Sequence, residues 1–305
     1  MDFSLLKTLC HIHAPSGNEG NMTKYLLGYI EKHQASWKCK PELFAGEDFQ
    51  NCIVLVFGEP RTAVYAHMDN IGFTVRYQNN LVRIGSPDVH SGMELCTDDL
   101  GIWEKFSVIT TGKNTLTLDS PKLLPPGTTL SFAPSWKETS TTIQCCYMDN
   151  RAGVWNALKL CETVENGAIV FSCWEEHGGG SVAFLQRFLF ENYRVRQALI
   201  SDITWATSGV IPGKGVAISM RDAGIPRKIF TDRIVAIARQ SKIPFQLEVE
   251  ESGGSDGTEL QKQPYPVDWC FIGAPEKNVH SPFEKIHKAD LRNMLKLYRA
   301  LIEAL

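Results

Sequence analysis

Apolar, β-branched runs alternate with helix-like stretches along most of this 305-residue chain, and that alternation limits the possible folds more than any other feature. The runs are CIVLVF at 52–57, TAVYA at 62–66, AIVFSC at 168–173, QALI at 197–200, GVAIS at 215–219 and DWCFI at 268–272. They carry too few polar residues for strands with one wet face, so they read as strands buried on both faces. Helical apolar spacing falls between several of them, at roughly 150–164, 180–191, 226–240 and 287–304. A helix pair at 3–12 and 21–33 opens the chain around the breaker cluster Ala14-Pro15-Ser16-Gly17-Asn18-Glu19-Gly20. Such alternation predicts an α/β fold, a mixed, mostly parallel sheet with helices on both faces.

Residues 71–145 break the pattern. Short strand-like runs (FTVRY, LVRIG, FSVITT, TLTL) and Pro125-Pro126-Gly127 replace the helices there, which predicts a small inserted all-β domain. The expected organisation is an α/β domain from 1–70 and 146–305 with the insertion at 71–145, beside whatever site the body carries. A chain of this length can bury a large core.

Composition removes several functions. Lys plus Arg total 31 against 34 for Asp plus Glu, a net charge of -3 without a basic stripe, so nucleic acid is not an expected partner. No apolar run reaches the ~20 residues that span a bilayer. The segment Met1 to Cys10 reads as amphipathic, with Asp2 and Lys7, rather than as a secretion signal. The nine cysteines form no Cys-x-x-Cys pair, and Cys145 and Cys146 are adjacent, so free thiols in a reducing cytoplasm are expected.

Five short boxes carry Asp, Glu or His: His67-Met68-Asp69, Asp149-Asn150-Arg151, Glu175-Glu176, Asp202 in Ser-Asp-Ile-Thr, and His280-Ser281-Pro282. Singly, each has a structural explanation: a hydrogen-bonded histidine at a turn, a helix N-cap for Asp149, a solvated helix entrance, an Asx turn for Asp202, an ordinary loop histidine. Jointly, four of the five fall at predicted strand ends, where open α/β sheets gather ligands. Two imidazoles and several carboxylates suit a pair of divalent cations, zinc first and cobalt or manganese next, and so metal-assisted hydrolysis. Asp69, two residues beyond His67, points the same way and can orient its ring. Glu175 and Glu176 serve one site only if the chain leaves strand geometry, which the glycines of His177-Gly178-Gly179-Gly180 permit.

The order and wording of the boxes resemble the cytosolic di-metal aminopeptidases of metallopeptidase family 42, the tetrahedral, glutamyl-aminopeptidase-like group, some of whose relatives are labelled endoglucanases. The resemblance covers nearly the whole chain: Pro15-Ser16-Gly17-x-Glu19, His67-x-Asp69-x-Ile71-Gly72, Asp149-Asn150-Arg151-x-Gly153, Glu175-Glu176-x-Gly178, Asp202-x-Thr204, Gly213-Lys214-Gly215, Ser252-Gly253-Gly254-Ser255-Asp256 and His280-Ser281-Pro282-x-Glu284. It implies a zinc-exopeptidase-like body acting on peptides. Asp149 would bridge two metals, His67 and Asp202 completing one and Glu176 and His280 the other. Glu175 would be the general base, Asp69 would orient His67, and the Asp149–Asn150 bond would be cis. It further implies that Gly254, Ser255 and Asp256 line the pocket for the first side chain, and that the chain forms a homo-oligomer. Asn70, where Glu is common, and His177 and Ser181 depart from the family wording.

Three other readings compete. A di-metal amidohydrolase would deacylate N-acyl amino acids or trim dipeptides on a similar body. A glycosidase would need two carboxyls roughly 5–10 Å apart and no metal, leaving both histidines without a task. A non-catalytic assembly protein would need none of the boxes. Arg76, Lys214, Arg221 and Arg227 read as solvated surface rather than as a pocket for acidic side chains. The Gly209–Lys214 stretch is one residue short of a phosphate loop and lacks a following Ser or Thr.

Overall fold

The computed structural model describes residues 2–99, 104–111 and 115–305. Helices α1 (Ser4–Cys10) and α2 (Gly20–His33) lead into strands β1 (Glu42–Gly46), β2 (Gln50–Phe57) and β3 (Thr62–His67). Next come β4 (Gly72–Val75), β5 (Asn80–Ile84), β6 (Glu94–Thr97), β7 (Glu104–Thr111), β8 (Thr115–Asp119) and β9 (Thr129–Phe132). The chain continues through β10 (Lys137–Glu138), β11 (Thr142–Gln144), α3 (Met148–Cys161), β12 (Gly167–Ser172), α4 (Val182–Tyr193), β13 (Gln197–Trp205) and β14 (Val216–Arg221). It ends with α5 (Lys228–Gln240), β15 (Phe245–Val249), α6 (Asp256–Gln261), β16 (Asp268–Lys277), β17 (Lys285–His287) and α7 (Lys288–Ala304).

Eleven strands form one sheet in the order β1-β2-β12-β3-β13-β16-β17-β11-β10, with β14 paired to β16 and β15. Its centre is parallel, β12 to β3 to β13 to β16, and its flanks are largely antiparallel. Every residue of β3 and β12 is buried, and so is β2 from Cys52 onward. Their runs lack polar alternation because helices cover both faces. Helices α3 and α7 pack together over β13, β3 and β16, while α4 and α6 pack together over β12 and β13. No helix of the described residues is long and apolar enough to cross a membrane.

Strands β4 to β9 close a separate antiparallel barrel in the order β4-β5-β8-β7-β6-β9. Burial alternates along β8, with Leu116 and Leu118 inside, as it must when side chains fill a small barrel. The barrel strands end at Phe132; β10 and β11 pair through β17 with the edge of the large sheet. The short strands β1, β10, β15 and β17 and the six-residue helix α6 have no counterpart in the sequence expectation. They are brief and partly exposed, and their residues carry too weak a pattern to register against turns.

Candidate metal centre

The centre forms where two parallel strands part. Pairing of β3 with β13 ends at Tyr65↔Ile200, whereas β13 stays paired with β16 as far as Trp205↔Glu276. Asp202 therefore lies inside β13 rather than at a strand end, but beyond the last residue that β3 covers. The start of α3 fills the gap. Asn150 Nδ2 donates to the Ser201 carbonyl (2.9 Å), and Asn150 Oδ1 accepts from the Gly153 N–H (2.8 Å). A β-carbon at Gly153 would collide with the Ser201 carbonyl and the Asn150 carboxamide, so glycine is required there. Arg151 is fully buried and donates to the carbonyls of Met68, Asp69 and Ile12 and to Asn70 Oδ1. The Asp-Asn-Arg-x-Gly box thus docks α3 against both strand ends, and the departure at Asn70 still supplies Arg151 with an acceptor. The Asp149–Asn150 bond is cis, as the resemblance implies.

Asp69 shapes the acidic turn. Its Oδ1 lies 3.3 Å from His67 Nδ1, a charge contact rather than an aligned hydrogen bond, and accepts the Glu175 N–H (3.2 Å). Its Oδ2 accepts the Glu176 N–H (3.1 Å) and the Ser16 hydroxyl (2.6 Å). Trp174, at φ +61°, bends the chain out of strand geometry just before this pair, and Gly178 and Gly179 continue the turn at positive φ. Non-glycine residues tolerate that region poorly, so the surrounding contacts must hold Trp174 in place. The other two departures fit the same loop: Ser181 Oγ donates to the Cys173 carbonyl and accepts its N–H, and His177 Nδ1 accepts from Gly85.

The loop that carries His280, the last candidate ligand, is tied from below. Glu284, fully buried, accepts the N–H of His280 (2.9 Å) through one oxygen and that of Asp149 (3.3 Å) through the other. On the barrel side, Ser86 Oγ meets His280 Nδ1 at 2.8 Å. Ser16, Ser86 and Glu284 are the supporting residues to which the sequence alone assigned no task. Only their side-chain partners, 53 to 194 residues away in sequence, reveal them.

The donor atoms converge around Asp149. Its Oδ1 is 3.2 Å from His67 Nε2 and its Oδ2 is 3.3 Å from His280 Nε2. His67 Nε2 is 3.4 Å from Asp202 Oδ2, and His280 Nε2 is 3.3 Å from Glu176 Oε2. Donors held tetrahedrally at ~2.0–2.1 Å from a zinc ion stand about 3.3 Å from one another, so all four spacings fit one such ion in each trio. The two trios, His67-Asp149-Asp202 and Asp149-Glu176-His280, share Asp149. Glu175 stands outside both, its nearest oxygen 3.9 Å from His67 Nε2. A third trio, His13-Asp98-Asp99, is already occupied by hydrogen bonds from Asn18, Asn21 and Thr129 that fasten the barrel to the first helices.

The charges are unbalanced. Burial drives Glu175 and Glu176 well above the usual carboxylate range, with neighbouring carboxylates adding to the effect, and pushes Asp202 up to about 7. Burial opposes the charged ring of His67, but Asp202, Glu175 and Asp149 hold its proton more tightly than usual. Burial would also raise Asp149, yet the two imidazoles keep it well below the ordinary carboxylate range. Five acids, Asp69, Asp149, Glu175, Glu176 and Asp202, thus face two imidazoles, a deficit of positive charge suited to divalent cations.

A cavity of about 740 Å³ opens onto this centre and is lined by Asp149, Glu175, Glu176, Asp202 and His280, with Gly85 and Ser86 from the barrel side. Gly254 lines it as well. Ser255 instead caps α6 by accepting the Gly257 N–H, and Asp256 is buried, accepting the Ser172 hydroxyl (2.5 Å). Their sequence neighbourhood did not reveal that the chain turns into α6 at Ser255.

The profile of the M42 glutamyl aminopeptidase family matches residues 117–297. An Acetivibrio thermocellus protein with a provisional aminopeptidase assignment is 26% identical over 351 residues, covering 99% of this chain and 98% of the relative. The TET aminopeptidase of a marine-sediment Thaumarchaeota archaeon superposes with a TM-score of 0.86 at 16% identity, over 99% of this chain and 96% of that one. The TET1 peptidase of Pyrococcus horikoshii, which assembles into a tetrahedron or a large octahedral shell, gives 0.82 at 20% identity over 98% of each chain. With the profile spanning more than half of its length, the chain belongs to the M42 glutamyl aminopeptidase family and is a peptidase.

Proposed function

We propose that the chain is a di-metal aminopeptidase that removes N-terminal residues from peptides. His67 and Asp202 would hold one divalent cation, Glu176 and His280 the other, and Asp149 both, with zinc the first choice and cobalt or manganese alternatives. When bound, the cations supply Lewis acidity, polarising the scissile carbonyl and acidifying a water. Glu175 takes the water proton and delivers it to the departing amine; burial keeps its carboxyl unusually basic, as that task needs. Asp69 fixes the His67 ring and, through the Glu175 and Glu176 N–H groups, the turn that aims both acids. The observation that carries the reading is the sharing of Asp149 between two trios at tetrahedral spacing, with Glu175 beside them and outside both.

Two organisational proposals accompany it. The body at 1–70 and 146–305 carries the chemistry, and the insertion at 71–145 walls the cleft through Gly85 and Ser86. The chain forms a homo-oligomer in the cytoplasm, a reading supported by the shells of the Pyrococcus horikoshii relative and by nine free cysteines.

Glu175→Gln tests the mechanism. It should keep both metals, measured by elemental analysis, and lose at least ~100-fold in kcat, the scale of a general base. Unchanged turnover would refute the assignment. An N-acyl amino acid panel run beside aminoacyl anilides separates the deacylase alternative, which requires the acylated substrates to be cleaved faster.

A further inference from the structure

Three acids of the cleft have no part in the metal centre: Asp222, just beyond β14, Glu248 in β15, and Glu250 at its end. Asp222 is 8% exposed and Glu248 3% exposed. Among the described residues none of the three enters a salt bridge, and no Lys or Arg lines the cavity. The hydrogen bonds of the two buried acids come from neutral groups. Asp222 accepts the Gly224 N–H (2.6 Å) and lies 3.5 Å from the Ser255 hydroxyl; Glu248 accepts the Thr204 hydroxyl. The Ser219 hydroxyl is buried beside Glu248 and, like that of Thr204, is a neutral group that eases the carboxylate. Arg221 forms no ion pair with Asp222, its Nε donating to the backbone carbonyl (3.4 Å), and its charge only partly offsets the burial that raises the Asp222 carboxyl. Arg227, a second cation near in sequence, pairs with Asp268.

Buried carboxylates outside any ion pair are costly unless a partner brings positive charge to them. Ile203 and Phe271 lie on the same cavity, so an aliphatic stem has an apolar wall to follow on its way to the acids. We propose that this wall selects peptides whose N-terminal residue has a cationic side chain, lysine or arginine. The stem packs on Ile203 and Phe271, and the ammonium or guanidinium meets Asp222 and Glu248, with Glu250 at the rim. An N-terminal glutamate or aspartate would meet like charge instead. The inference rests on the aminopeptidase reading of this cleft and adds the class of substrate to it.

The test uses the metal-loaded chain with lysyl, arginyl, norleucyl and glutamyl coumarylamides. Norleucine keeps the lysine stem and lacks its charge. The expected kcat/KM is at least about tenfold higher for lysyl than for norleucyl substrate, and lowest for glutamyl. Glu248→Gln should cut the lysyl-to-norleucyl ratio by about tenfold. Glu250→Gln, at a partly exposed position that leaves the buried contacts in place, should cut it severalfold and guards against misfolding of the first variant. Equal rates for lysyl and norleucyl substrates, or a ratio unmoved by both variants, would overturn the proposal. Should no aminoacyl substrate be cleaved, the aminopeptidase reading fails separately. Calorimetry with lysinamide and norleucinamide then decides this point, tighter lysinamide binding supporting the acidic wall and equal binding overturning it.

Discussion

Replacing Arg151 by methionine tests how the centre is held together before any metal enters. The guanidinium bridges α3 to the turn that follows β3, donating to Met68, Asp69 and Ile12 carbonyls and to Asn70 Oδ1 in a fully buried setting. Methionine fills much of the volume but orphans up to four acceptors, at about 1–3 kcal/mol each. Removing a buried cation returns several kcal/mol of its desolvation cost, since burial already opposes the charged form. The expected net loss is about 3–5 kcal/mol, a large share of a total in the ~5–15 kcal/mol range. Urea unfolding followed by tryptophan fluorescence and circular dichroism measures it. Because that turn carries Asp69 and directly follows His67, metal stoichiometry should fall with stability. Arg151→Lys should recover only part of the loss, because one ammonium cannot spread its donors as the planar fork does. A methionine variant that unfolds within about 1 kcal/mol of the natural protein and binds metal fully would refute the bridging role.

Gly153→Ala puts a methyl group against the Ser201 carbonyl and the Asn150 carboxamide. It should cost about 1–3 kcal/mol by overpacking and weaken metal binding by displacing Asp149; a zinc titration matching that of the natural protein would count against this. In chelator, stability should fall as pH rises from about 4 to 7. Asp202 and Asp256 are pushed up to about 7 and about 6 by burial, above their usual value of 3.8, so the folded chain holds more protons than the unfolded one across that window. Glu175 and Glu176 act in the same direction. A Tm in chelator that is higher at pH 7.5 than at pH 5 would contradict the sign. Zinc added at pH 7.5 should restore the melting temperature, since it binds the folded, deprotonated cluster.

The α/β body was legible because the stretches of strand buried on two faces are mostly apolar, as in β3, β12 and β2 from Cys52 onward. The all-β insertion was legible for the converse reason, the absence of helical spacing between His67 and Asp149. The ligand types were also legible, since Asp, Glu and His are few in such runs and stand out beside them. What sequence could not supply was the bend at the acidic pair. There the glycines were credited, but Trp174 in the left-handed region and the grip of Asp69 on two N–H groups do much of the turning. The strand-end placement of Asp202 also needed correction, because β13 runs on to Trp205 through its pairing with β16 while β3 has already left it.

By itself, then, the amino-acid order determined the layers, the inserted β segment and the set of residues able to hold metal. Only the tertiary structure decided which serine or glutamate fastens each candidate ligand, and that the free wall of the cleft is acidic. Periodicity is a local property, written by burial every second or third residue. The distances between His67, Asp149 and His280 depend on where strands separate and loops return, and those are set by pairings between residues far apart in the chain.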